Sequence, residues 1–178
     1  MRLVSAEASE SLEVAVGKLL REQKQTLAIA ESCTGGLITH RLTNVAGSSA
    51  YLVAGVIAYA YEAKVAALGV TWETLNRYGA VSEETARAMA RGVRAKFAST
   101  LGLAVTGIAG PGGGTPEKPV GLTFIALADA SGEIVERHIW NGDRIQNKEQ
   151  SAQAALLLLK NYLTSRQGSR KTGNPENP

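Results

Sequence analysis

Glu31, Ser32, Cys33 and Thr34 stand side by side in "AIAESCTGGLITHRL", residues 28–42, followed by two glycines, Gly35 and Gly36. The apolar run before them reads as a strand end and the amphipathic run after them as a helix. A helix N-terminus offers unpaired backbone N–H groups and the positive end of a dipole. Ser32 placed there can act as a nucleophile, with its oxyanion held by the N–H groups of Thr34, Gly35 and Gly36. Equally, Ser32 or Thr34 can simply cap the helix, and from this stretch alone the cap is the stronger reading. Cys33 is a rival nucleophile, because the same dipole lowers a thiol pKa. It ranks below Ser32, since small cysteines are more often packing residues.

A serine nucleophile needs a base. The two histidines are isolated: His40 lies two helical turns beyond Ser32, and His138 lies in a later strand. The alternative is Lys64 in "AYAYEAK", residues 58–64, about one turn into a helix and close in sequence to Tyr59. A lysine serves only if burial or a neighbouring cation lowers its pKa from about 10.4. Taken alone, Lys64 reads as a surface lysine and Tyr59 as a sheet-packing aromatic. A third loop, "TGIAGPGGGTPEKPVG", lacks the Gly-Lys-Ser/Thr ending of a Walker motif and is not GxGxxG. It reads as a flexible linker or a ligand-lining loop, with Lys118 and Arg144 able to neutralise an anion. No His/Asp/Glu spacing resembles a metal-ligand set, so no metal and no cofactor are expected.

The elements that must position these loops follow from periodicity. Helical spacing of Leu12, Val16, Leu19 and Leu20 predicts an opening helix from Ser9 to about Glu22. "QTLAIAE", "YLVAGVIAY" and "LGLAVTG" read as strands, while "LTFIALAD" and "EIVERHIW" around "ASG" read as a hairpin. Helices are expected over "GGLITHRLTNV", over "EAKVAALG" and over "VSEETARAMARGVRAKF" with Ser82 as N-cap. A closing helix is expected from about Ile145 to Leu163. Strands alternating with helices, then a hairpin, predict an α/β fold: a three-layer α/β/α sandwich with a mixed β-sheet. A single domain over residues 1–165 is expected, then a polar tail without fixed structure over 166–178.

Composition narrows the function classes. The formal net charge is +3, of which the tail carries +2, leaving a nearly neutral body that gives a nucleic-acid partner no support. No apolar run approaches a membrane span, no signal-peptide core precedes the first helix, and the single cysteine fits a reducing compartment. A cytoplasmic protein without a membrane partner is expected.

Taken together, "AESCTGGLI", "AGSSAYLVAGVIAY", "EAKVAALGV", "GAVSEETARAMA", "TGIAGPGGGTPEKPVG" and "GDR" resemble the CinA C-terminal domain family over roughly residues 10–163. That family includes stand-alone nicotinamide-nucleotide amidohydrolases. The resemblance implies hydrolysis of the carboxamide of nicotinamide mononucleotide to nicotinate mononucleotide and ammonia, without a metal. It implies Ser32 as nucleophile, assisted by Lys64 and Tyr59. It also implies a nucleotide site lined by Glu31, Ser48, Thr106, Gly107, Gly110, Pro111, Lys118 and Arg144. The multi-domain members carry a further N-terminal domain for which this chain has no room, and a symmetric homo-oligomer is expected. Two departures stand out. Where the family usually reads "TYSNEAK", Ala58, Ala60 and Tyr61 replace two hydroxyls and an amide. Four residues after Arg144, Lys148 replaces a frequent arginine. A catalytically altered nucleotide- or partner-binding module is the alternative that these changes point to.

Overall fold

A computed structural model describes residues 10–171. Five strands, β1 (Leu27–Glu31), β2 (Leu52–Ile57), β3 (Leu101–Gly107), β4 (Leu122–Ala128) and β5 (Glu133–Ile139), form one sheet in the order β2-β1-β3-β4-β5. β1 runs parallel to β2 and β3, whereas β4 and β5 are antiparallel, so the sheet is mixed as expected. The register of β2 against β1 shifts at Val53.

Alternation of side chains gives the sheet two unlike faces. Leu27, Ile29, Leu101, Leu103, Val105, Ile125 and Leu127 face one core with α1 (Leu12–Glu22), α2 (Leu37–Thr43) and α6 (Arg144–Lys171). Ala28, Ala30, Ala104, Ala126 and Ala128 face the other. There α3 (Tyr61–Leu68), α4 (Trp72–Tyr78) and α5 (Glu83–Lys96) are packed. Helices therefore cover both faces, which makes the three-layer sandwich.

The small-residue face lets helices approach closely, and one glycine depends on it. A Cβ on Gly92 of α5 would lie 1.8 Å from the carbonyl oxygen of Leu68 at the end of α3. Neither backbone can yield without the other moving, and α3 carries Lys64. Gly92→Ala is therefore expected to destabilise the fold by about 3 kcal/mol or more, at the upper end of overpacking costs. Urea denaturation measures this directly.

Two elements differ from the sequence expectation. α4 is additional: the Thr71 hydroxyl caps it by accepting the Thr74 N–H at 3.1 Å, a signal carried by one threonine before "WET". α6 runs through residues 166–171, where a tail without fixed structure was expected. Contacts in its last turns explain the extension. Arg166 pairs with Asp129 at 2.9 Å, Tyr162 hydrogen-bonds the same carboxylate, and Gln167 reaches Glu22. Burial alone would raise the Asp129 pKa, but hydrogen bonds from Tyr162, Ser131 and Gly132 hold it down at about 2. Residues 1–9 and 172–178, including the expected helix start at Ser9, lie outside the described residues.

Candidate active site

β1 ends in Glu31, and the chain turns through Ser32–Gly36 before α2. Glu31 is fully buried and accepts four hydrogen bonds from α2 and its approach. These come from the N–H groups of Gly36 (3.0 Å), Ile38 (3.2 Å) and Thr39 (2.8 Å), and from the Thr39 hydroxyl (2.7 Å). The carboxylate thus complements the positive end of the helix and fixes the turn. Glu31, expected to line the substrate site, is placed with its carboxylate on the N-terminus of α2.

Below the turn lies Lys64, whose side chain is fully buried. Its Nζ stands 3.1 Å from Ser32 Oγ, 2.8 Å from the Ala58 carbonyl and 2.9 Å from the Tyr59 carbonyl. Burial lowers its pKa from 10.5 to about 8. The two carbonyls can only accept, so two Nζ positions are always N–H donors. The third faces a hydroxyl that can donate or accept. When Lys64 is neutral, its lone pair is directed at the Ser32 proton. Such a pair has the chemistry by which an amine can take a proton from a hydroxyl near neutral pH.

Apart from Lys64 itself, the segment "AYAYEAK" contributes main chain, not side chains, to this contact. The Tyr59 phenol is exposed and accepts a hydrogen bond from Arg144 Nη2 at 3.1 Å. The expected phenol assistance at Lys64 is thus replaced by the backbone carbonyl. Ala58 packs in the core. Ala60 is the N-cap of α3 without a side-chain cap, and the Tyr61 hydroxyl accepts the Ala80 N–H at 3.2 Å.

Cys33 is no rival. Burial pushes its thiol up to about 12, against the lowering expected from the dipole. Two of the three N–H groups expected to receive an oxyanion are already hydrogen-bonded. The Gly35 N–H donates to the Ser32 carbonyl and the Gly36 N–H to Glu31. The N–H groups of Cys33 and Thr34, which lie near the Cys33 sulfur, are the ones in this turn not committed to an oxygen. The Thr34 hydroxyl is buried and has no hydrogen-bond partner.

The remaining expected residues divide. Arg144 bridges the site, donating from Nη1 to the Gly110 carbonyl at 2.7 Å as well as to Tyr59. Pro111 and Arg144 line one cavity of about 480 Å³ with Ala109, Val120 and Ile145. Gly107 sits under Cys33, where a Cβ would lie 3.1 Å from Sγ and 2.7 Å from the Leu122 carbonyl. The polar groups of three more have these partners and positions. Lys118 Nζ is tied to the Tyr78 carbonyl at 2.6 Å. The Thr106 hydroxyl is buried against the Ala80 carbonyl at 2.7 Å. Ser48 opens a 3-10 turn before β2, and so lies at the opposite end of the parallel strands from Ser32. Neither histidine meets Ser32: His40 contacts Asn44, and His138 stacks on Trp140 beside Glu136.

A second cavity, about 340 Å³, opens between the Thr34–Leu37 turn and the start of α6, lined by His40, Ile145, Lys148 and Glu149. Lys148 Nζ overlooks Gly35. Among the described residues no group of three His, Cys, Asp or Glu side chains could hold a metal ion, and no helix is long and apolar enough to cross a membrane.

The family model of the CinA C-terminal domain matches residues 9–163. The chain belongs to the CinA C-terminal domain family. A CinA-like protein of Syntrophus aciditrophicus is 53% identical over 173 residues, which are 96% of this chain and 41% of that protein. A putative competence-damage inducible protein of Halothermothrix orenii is 50% identical over 161 residues, 90% of this chain and 39% of that one. The chain thus spans about two fifths of the length of these relatives. Among solved structures, a CinA superfamily protein from Klebsiella pneumoniae superposes with a TM-score of 0.84 at 30% identity, covering 86% of this chain and 96% of that one. A competence/damage inducible protein from Agrobacterium tumefaciens gives 0.81 at 37%, covering 92% and 99%.

Within the CinA fold, two kinds of supporting group escaped the sequence reading. They are the carbonyls of Ala58 and Tyr59, and Asn147. Asn147 braces the glycine-rich loop by donating to the Ala109 carbonyl and accepting from the Gly142 N–H, both at 3.0 Å. Carbonyls leave no trace in residue type. Asn147 had a signal of sorts, a polar residue on the apolar face of a helix.

Proposed function

We propose that this chain hydrolyses the carboxamide of nicotinamide mononucleotide, giving nicotinate mononucleotide and ammonia. The observation that carries the reading is the 3.1 Å contact between Ser32 Oγ and a buried Lys64 whose pKa is lowered to about 8. Ser32 Oγ attacks the amide carbon while its proton passes to Lys64. The N–H groups of Cys33 and Thr34 receive the oxyanion. Collapse breaks the C–N bond, with Lys64 returning the proton to the leaving amine. Water then attacks the acyl-enzyme, giving its proton to Lys64, and Ser32 is restored.

The departures in "AYAYEAK" leave this machinery in place, because Ala58 and Tyr59 serve through their carbonyls. That favours an active enzyme over a binding module without turnover. Arg144 and Lys148 flank the turn as cations for the nucleotide phosphate. Lys148 offers a point charge in place of a fork, so Lys148→Ala is expected to raise KM about tenfold with kcat little changed, by loss of a charge-assisted bond.

Ammonia release from nicotinamide mononucleotide by the purified chain tests the reading. Ser32→Ala is expected to lose at least about 10³-fold and Cys33→Ser to keep most of the rate. The opposite pattern would transfer the role to the thiol, and a wild-type chain that binds the nucleotide without turnover would leave the binding module.

A further inference from the structure

Most charged side chains around the Ser32–Gly36 turn are already committed. Glu31 caps α2, and Lys64 is held by two carbonyls. Arg144 bonds the Gly110 carbonyl and the Tyr59 phenol, and Lys118 bonds the Tyr78 carbonyl. Two are not committed. Neither the Lys148 nor the Glu149 side chain makes a hydrogen bond or ion pair among the described residues, even with the other. Both line the cavity of about 340 Å³ beside the turn. The remaining ionisable group of that cavity, His40, contacts Asn44.

Helix geometry explains why opposite charges so close in sequence stay apart. Adjacent residues of a helix project about 100° from one another, so Lys148 and Glu149 do not face each other. Ile145 lies three residues before the first and four before the second. It therefore stands between them, one turn nearer the start of α6. Its side chain is 60% exposed and lines the same cavity. Lys148 Nζ reaches toward the turn, 3.7 Å from where a Gly35 Cβ would lie, which leaves Glu149 as the free charge on the other side of Ile145. One wall of the cavity is thus an apolar side chain flanked by a free cation and a free anion.

That pattern describes a ligand. A flat ring fits against Ile145, and an anionic group goes to Lys148. The carboxylate has a use only against positive charge. Beside a neutral ring joined to a phosphate, Glu149 would repel the phosphate and return nothing. A pyridinium ring supplies the missing charge, because its nitrogen is cationic wherever it carries a ribose, and the proposed substrate joins such a ring to a phosphate. We propose that Glu149 is a specificity-determining residue that selects a cationic, N-substituted pyridine carboxamide over a neutral one. The identity of the ring rests on the amidohydrolase reading; the demand for positive charge rests on the cavity wall.

Reduction of nicotinamide mononucleotide gives the probe. The reduced nucleotide keeps the carboxamide, ribose and phosphate but has a neutral dihydropyridine ring. Calorimetry is done in the Ser32→Ala background, where the ligand stays intact. The oxidised form is expected to bind about fivefold tighter than the reduced one, the scale of an exposed charge pair. Adding Glu149→Gln should remove that preference by weakening the oxidised form alone. Adding Lys148→Ala instead should weaken both forms alike, by about tenfold, since both carry the phosphate. Equal affinity for the two forms, or a Glu149→Gln change that weakens both alike, would overturn the proposal. Ammonia release by the wild type is followed in parallel. Turnover without a preference for the oxidised form keeps the reaction and removes the role of Glu149. A preference without turnover keeps that role and removes the reaction, and a chain that binds neither form loses both.

Discussion

Lys64→Met is expected to abolish amide hydrolysis, by at least about 10³-fold, while leaving the fold nearly as stable as before. The kinetic loss follows from the position of Nζ, the one base within hydrogen-bond distance of Ser32 Oγ among the described residues. The small effect on stability follows from two opposing costs. Keeping a lysine protonated in this site, with its pKa lowered from 10.5 to about 8, costs about 3 kcal/mol at neutral pH. Methionine removes that cost but leaves the Ala58 and Tyr59 carbonyls without their donor, at about 1–3 kcal/mol each. The two nearly cancel.

The pH dependence separates the roles. The proposed mechanism makes the neutral amine the active form, so kcat/KM of the wild type should rise about tenfold per pH unit up to about 8 and then level. Residual activity of Lys64→Met should lack that step. For stability, the folded pKa is the lower one, so between about 8 and 10.5 the unfolded chain holds the extra proton. Unfolding free energy should therefore rise with pH in that window and stay flat below it, and Lys64→Met should lose the rise. Urea midpoints at neutral and alkaline pH measure the difference. A wild-type profile flat through pH 8 would remove Lys64 as the base.

How much of this was legible in residue types depends on which atoms act. Every strand and every helix but α4 announced itself by period, and the mixed character of the sheet, though not its strand order, followed from alternating units closed by a hairpin. The large-residue face against α6 and the alanine face against α5 are visible in the alternation of "LAIA" and "LGLAV" once they are known to be strands. The serine and lysine could be named from the motifs that carry the family resemblance. Their contact could not, because it depends on burial of Lys64, and an isolated lysine in a short helix looks like a surface residue. Tyr59 was named for its ring and acts on Lys64 through its carbonyl. Lys118 and Thr106 were named as ligand groups, and the structure shows each donating to a backbone carbonyl, of Tyr78 and Ala80, at the loop between α4 and α5. Backbone acceptors carry no letter in a sequence, and side chains that satisfy them are easily mistaken for free ones.

Glu31 shows the same confusion at its largest energetic scale, and Glu31→Gln is expected to cost about 4 kcal/mol. Every bond that Glu31 accepts comes from a donor: three N–H groups and the Thr39 hydroxyl. A carboxylate offers acceptors on both oxygens, whereas an amide offers one and turns an NH₂ toward groups that can only donate or are already oriented to donate. About two charge-assisted bonds are lost, at roughly 1.5–3 kcal/mol each, together with the favourable charge at the start of α2. For a domain of this size that is a fall in Tm of roughly 10–15 °C, measurable by calorimetry. The functional consequence is specific to a positioning role. Ser32 follows Glu31 directly, and Gly36 closes the turn onto the carboxylate, so loosening the cap moves the nucleophile relative to Lys64. The rate loss should then appear in kcat more than in KM, in parallel with the fall in Tm. A carboxylate that touched the nucleotide would behave otherwise, with KM raised and Tm little changed in Glu31→Gln. Thr39→Val, which removes one of the four donors and leaves the charge, should show the same kcat-weighted loss at smaller size if the cap is what holds Ser32 in place.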